Sequence, residues 1–319
     1  MRREIRFTSH GVTCAAWHVP ATNEALGGPG GRPCVVMAHG FGGTRDSGLL
    51  NYAEPFAEAG IDSFVFDYRG FGDSGGRPRQ DVSVRRQRQD YHAALAAARR
   101  LPGVDPDRVA LWGASYAGGH ALVVAAQDGR AAAVVSLTPV TDGLASLAHL
   151  VRHAGIRPLR RLAGHGLRDA ARALAGRPPH QVPVVGDPGS LAMMTLPDAL
   201  KTAASFAGPT FRNEVCARAA LKVGLNRPST FVGRLTCPIL VQVGTNDRIA
   251  PPEAARRTAG KADEAGTPVR LREYPVDHLD VYDGPGQARA LADQLDFLTQ
   301  CLDPRSSPRR PGRHRAPRT

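Results

Sequence analysis

The sequence predicts an α/β chain built on a mostly parallel sheet and interrupted by a helical insertion. Three observations carry that prediction. Short apolar runs such as 34–38 (CVVMA) and 238–243 (PILVQV) recur along the chain, as strands buried on both faces require. Stretches of helical period alternate with them, and this spacing implies right-handed crossovers onto a parallel sheet. The alternation stops over residues 138–232, where helical stretches are broken by Pro158, Pro178, Pro179, Pro183, Pro188, Pro197, Pro209 and Pro228, and then it resumes.

Taken in order, residues 4–8 and 12–19 read as a β-hairpin around Ser9-His10-Gly11, and 21–32 as a Gly-rich loop. The strand at 34–38 runs into His39-Gly40-Phe41-Gly42-Gly43. Residues 49–59 alternate at helical period and Gly60 closes them. A strand at 61–66 leads into a loop dense in turn residues, 67–76, and then into a long helix over 82–101 with Arg and Gln on its wet face. Asp105-Pro106-Asp107 punctuates before a strand beginning at Val109. Residues 131–137 form a sixth strand. After the insertion come a strand at 238–243, a helix at 252–265, a strand at 269–274 and a final helix at 287–302. Residues 303–319 hold six arginines and almost nothing apolar, so they are expected to be a disordered basic tail.

At 319 residues the chain has room for one large α/β domain with an insertion. No apolar run approaches the roughly 20 residues that span a bilayer, and none follows the basic N-terminus as a secretory signal would require. Cys14, Cys34, Cys216, Cys237 and Cys301 are odd in number and scattered, which reads as reduced structural thiols in a cytoplasmic protein and gives no zinc pattern. The net charge of +12 is uneven. Residues 140–232 hold twelve basic and five acidic residues, the tail adds an excess of five, and the rest is neutral. Nucleic acid is not expected as a partner, because a basic surface for it would spread over the domain that holds the site.

The stretch 109–119, VALWGASYAGG, is strand, sharp turn and helix in sequence. That is the setting of a nucleophile elbow, where small neighbours let strand and helix approach each other around a strained serine. Gly113, Ala114, Ala117 and Gly118 supply the small residues around Ser115. A serine hydroxyl needs a base, the base needs an orienting partner, and the oxyanion needs donors. Asp247 follows the strand at 238–243, and His278 follows the strand at 269–274, so both emerge at carboxyl ends of strands, where open α/β sheets gather their sites. Ser115, Asp247, His278 is the chain order of one hydrolase fold. The oxyanion donors would be the backbone N–H groups of Phe41 and Tyr116. Asp142, after the sixth strand, is the alternative acid. His39 reads as a turn-stabilising residue and His120 as a packed one. Arg45 and Asp46 read as a solvated turn, or else as lining the entrance.

On His39-Gly40-Phe41-Gly42-Gly43, Gly113-Ala114-Ser115-Tyr116-Ala117-Gly118, Asp247 and His278, the chain resembles the α/β-hydrolase superfamily over nearly all of 32–302. Alanine at 117 departs from the usual glycine. The resemblance implies a core of 1–139 and 233–302, with helices on both faces of the sheet and residues 140–232 as a helical lid after the sixth strand. Within the superfamily it is similar to esterase, thioesterase and serine-peptidase-like members. It implies a serine hydrolase cleaving an ester or thioester through an acyl-enzyme, with no cofactor or metal. Acyl transfer, peptide hydrolysis and a catalytically dead basic binding module are the other readings.

Residues 155–175 combine helical apolar spacing with Arg157, Arg160, Arg161, Arg168 and Arg172. They read as a lid helix with a solvated basic face, or as a basic amphipathic surface for a membrane or an acidic partner. A basic lid could steer an anionic acyl donor, such as a thioester on coenzyme A or on an acidic acyl carrier protein.

Overall fold

The computed structural model describes residues 2–305. Eight strands form one sheet: β1 (Arg3–Ser9), β2 (Val12–Val19), β3 (Arg32–Ala38), β4 (Asp62–Phe66), β5 (Val104–Ala114), β6 (Val134–Leu137), β7 (Ile239–Gly244) and β8 (Val269–Tyr274). Their order is β1-β2-β4-β3-β5-β6-β7-β8. The β1–β2 hairpin is antiparallel and β2 runs antiparallel to β4, while every pairing from β4 to β8 is parallel. β3, β4, β6 and β7 are buried almost end to end, which is why they read as continuous apolar runs rather than as alternations.

Helices α1 (Leu50–Glu58), α2 (Val84–Ala98), α3 (Tyr116–Asp128), α7 (Pro252–Glu264) and α8 (Gly284–Leu302) surround this sheet. Trp112 on β5 shows how they lock to it. Its ring packs 5.1 Å from Tyr52 of α1, and its indole N–H donates to Gln294 of α8 at 2.8 Å. Tyr91 of α2 donates its hydroxyl to the Trp112 carbonyl at 2.6 Å.

β5 differs from the expected strand. It begins at Val104, and Asp105-Pro106-Asp107 lies within it as an irregularity: β3 pairs Arg32 with Val104 but Cys34 with Val109. The turn chemistry of those three residues makes a bulge instead of ending the strand.

Between β6 and β7 lie α4 (Gly143–Ala154), α5 (Ile156–Leu174) and α6 (Ala199–Phe206). This segment is less purely helical than expected. Val215–Cys216 pairs antiparallel with Gln181–Val182, Val185–Gly186 pairs with Met194–Thr195, and Ala217–Leu225 is a 3-10 helix. The Pro-rich spacing kept these stretches from continuing as α-helix, and two-residue pairings take up their backbone groups. The expectation of a disordered tail falls from Ser306 onward outside the described residues. Asp303 and Arg305 form a turn joined by an ion pair at 2.7 Å.

Candidate active site

β5 ends at Ala114 and α3 begins at Tyr116, so Ser115 alone makes the turn, with φ 56° and ψ −119°. A residue with a side chain holds such a conformation only when its surroundings leave no alternative. Two glycines create those surroundings. A Cβ on Gly113 would stand 2.2 Å from the Ala117 carbonyl oxygen, and one on Gly119 would stand 2.4 Å from that of Val140. Ala117 itself is fully buried within the turn. Gly119 was not singled out in the sequence, because its need comes from the distant segment at Val140.

Asp247 follows β7. Its Oδ1 accepts the N–H groups of Ile249 and Ala250 at 2.8 and 2.7 Å, which fixes the carboxylate and turns Oδ2 toward His278. The His278 Nδ1 donates to that Oδ2 at 2.7 Å, and its Nε2 lies 2.8 Å from the Ser115 Oγ. With Nδ1 facing a carboxylate, Nε2 is the nitrogen left facing the Ser115 hydroxyl. All three side chains are buried. Burial alone would depress the His278 imidazole, but the Asp247 carboxylate outweighs it and holds the group above its ordinary value.

Asp142 does not reach this chain of groups. Its Oδ1 caps α4 by accepting from Leu144 and Ala145 at 3.0 and 3.2 Å, and its Oδ2 pairs with Arg227 at 2.9 Å. His39 donates from Nδ1 to the Gly40 carbonyl at 3.0 Å, and burial pushes it down to about 4. His120 is fully buried beside Tyr116 and bonds Gln87 at 3.1 Å. Arg45 overturns both readings made of it. Only 2% exposed, it neither lines the entrance nor faces water, and pairs instead with Glu4, Asp67 and Asp73 at 3.0, 3.2 and 2.6 Å. Asp46 ties the Gly-rich turn to the insertion by accepting the N–H and hydroxyl of Thr210, both at 2.9 Å.

The rings of Phe41 and Tyr116 meet edge to face at 5.4 Å. The Tyr116 N–H opens α3, where the first amides have no intrahelical acceptor. Both residues line a cavity of about 100 Å³ that Leu147 and Leu150 of α4, Leu159 and Leu162 of α5, and Met193 and Met194 close with apolar surface. A smaller cavity of about 50 Å³ shares Phe41, Ser115 and Met194 with it and is lined by His278 and by Phe206 and Tyr282, whose rings stack at 4.6 Å. No carboxylate lines either cavity among the described residues. Phe206 and Tyr282 gave no sequence signal, since an aromatic residue in a helix or loop reads as ordinary core.

Residues 31–275 match the family model described as serine aminopeptidase, S33. The chain belongs to that family. Its fold and membership make it an α/β-hydrolase enzyme. This S33-family chain is 36% identical over 303 residues to the quorum-quenching protein AidA of Acinetobacter baumannii, covering 94% of this chain and 95% of that one. It is 27% identical over 312 residues to the polyketide transferase ATR5 of Stachybotrys chlorohalonatus, across 94% and 98% of the two chains. Among solved structures, the α/β hydrolase GrgF from a Penicillium species superposes with a TM-score of 0.72 at 26% identity, over 95% of this chain and 99% of that one. The relatives also include proteins named thiohydrolases, one of them from Aspergillus aculeatus and 38% identical over 110 residues, about a third of each chain.

Proposed function

We propose that this enzyme opens a carboxylic ester or thioester through an acyl-enzyme. Ser115 is the nucleophile, His278 the proton carrier and Asp247 the residue that orients the imidazole. The observation that carries this reading is the unbroken line of hydrogen bonds from the Asp247 carboxylate through His278 to the Ser115 hydroxyl, at 2.7 and 2.8 Å. In the first half-reaction the Ser115 Oγ bonds the substrate carbonyl carbon while its proton passes to the His278 Nε2. The negative oxygen that forms accepts from the Phe41 and Tyr116 N–H groups. The carbonyl re-forms, the bond to the leaving alcohol or thiol breaks, and that group takes the proton from His278. Water then attacks the acyl-enzyme, gives its proton to His278, and releases the acid as Ser115 recovers its hydrogen.

The apolar cavity under α4 and α5 is where the acyl chain goes, and residues 140–232 serve as the lid over it. Five unpaired cysteines fit a reducing compartment such as the cytoplasm. A free peptide amine has no carboxylate to bind in either cavity, which disfavours an aminopeptidase despite the family's description. Acyl transfer is the second reading, favoured by the polyketide transferases among the relatives. It uses the same groups, with an alcohol or amine replacing water.

The test is a panel of p-nitrophenyl esters and acyl thioesters of graded length, with wild type and Ser115→Ala side by side and with and without an added acceptor. Release of the free acid by wild type alone supports hydrolysis. Acylated acceptor as the main product moves the reading to transfer. Equal turnover by both proteins refutes it.

A further inference from the structure

Helix α5 carries charge and exposed apolar surface together. Its inner face is fixed: Leu162, Gly166 and Asp169 are buried, and the Asp169 carboxylate accepts the N–H groups of His180 and Arg218 at 2.8 and 3.0 Å. Its outer face is divided lengthwise. Ile156, Leu167 and Leu174 fall on one line at eleven- and seven-residue spacings, with Arg160 on the same line between the first two, and Leu167 and Leu174 are 62% and 92% exposed. Beside that line, at helical spacing, run Arg157, Arg161, Arg168 and Arg172.

These arginines differ from those of the core. Arg32, Arg45, Arg69, Arg99 and Arg108 are each paired with a carboxylate. Among the described residues Arg157, Arg160, Arg161, Arg168 and Arg172 meet none, and the one acid within α5, Asp169, is turned inward. Apolar side chains as exposed as Leu167 and Leu174 cost solubility, and like charges side by side with no carboxylate between them repel, so both are unfavourable while the face meets only water.

We infer that α5 is an interfacial helix that seats the protein on a bilayer surface rich in anionic lipid. The apolar line enters the headgroup boundary while the arginine row beside it meets lipid phosphates. An acidic protein would satisfy the arginines too. It would need a surface matched to three apolar side chains spread along about 27 Å of helix, whereas a bilayer accepts them without a matching shape. The same helix turns Leu159 and Leu162 toward the cavity beside Ser115, so seating it brings the cavity roof to the membrane. That consequence rests on the catalytic reading; the docking does not.

The experiment is co-sedimentation of the full chain with vesicles of phosphatidylcholine alone and of phosphatidylcholine with one-third phosphatidylglycerol. Wild type and Ser115→Ala are expected to bind the anionic vesicles equally, more weakly in high salt, and to leave neutral ones largely in solution. Arg161→Gln with Arg168→Gln should weaken binding about fivefold per residue. Leu167→Gln with Leu174→Gln should weaken it about tenfold or more. All four positions are exposed, and an unchanged far-UV circular dichroism spectrum checks that each variant is folded. Failure of wild type to sediment overturns the inference, as does binding that both double variants retain, which would place it on arginines elsewhere. Preference for a soluble acidic protein over vesicles overturns it in favour of a protein partner.

Discussion

The Ser115 hydroxyl and the His278 imidazole are 163 residues apart in sequence and 2.8 Å apart in the fold. They meet because β5 and β8 are parallel strands of one sheet, so the loops that leave their carboxyl ends share a rim. Asp247 reaches the same rim from β7 and touches the far side of the ring.

Removing the acid should cost orientation rather than fold. Asp247→Asn is expected to lower kcat by about 10⁴, because an amide at this position favours the wrong tautomer of His278. Steady-state kinetics on any ester that the wild type accepts, with thermal melts to show an intact fold, checks it.

The pH profile has a sign. In the proposed reaction His278 must be neutral to take the serine proton, and Asp247 raises its pKa despite burial. The acid limb of kcat/KM should therefore have its midpoint above the ordinary imidazole value of about 6.5, with activity falling as pH drops through it. Replacing Asp247 by Asn removes the cause and should move that midpoint down. A wild-type midpoint below the ordinary value would contradict the assignment.

The elbow has little spare room. Gly113→Ala would place a methyl 2.2 Å from the Ala117 carbonyl oxygen, a backbone atom that cannot swing aside. The variant should lose about 1–3 kcal/mol or more of stability and most of its activity, read by chemical denaturation and ester turnover. Gly164→Ala, with nothing within 4 Å of the added methyl, serves as the control and should be tolerated.

Arg45 is a stability residue. Arg45→Met strands the fully buried Asp67, whose carboxyl burial has already pushed up to about 7 against the neighbouring guanidinium. Loss of stability is expected in denaturant melts run above about pH 7, where Asp67 is ionised beside Arg45 in the wild type. Without the guanidinium Asp67 takes up a proton more readily still, so the loss should shrink as pH falls towards about 7 and be small below it.

The strands and the Ser115 turn were legible because each rests on local pattern: apolar runs for buried strands, glycines where backbones crowd. Ser115 and Asp247 stood out for the same reason, each just after an apolar strand, and His278 because it follows the strand at 269–274. Arg45 was misread because Glu4 of β1 and Asp67 and Asp73 of the 67–76 loop reach it from two other segments, and only tertiary structure shows that a polar turn is enclosed. The start of β5 was misplaced because Asp-Pro-Asp makes a bulge there as readily as a stop. The two-residue pairings around 181–216 leave no period to detect, so an insertion broken by prolines reads as helix and loop alone.

The most direct measurement is labelling with a fluorophosphonate followed by mass spectrometry of the digested protein. The account predicts one adduct, on Ser115, that is absent from Ser115→Ala and strongly slowed in a His278→Ala variant. No adduct on the folded wild type, or an adduct on another residue, would contradict it.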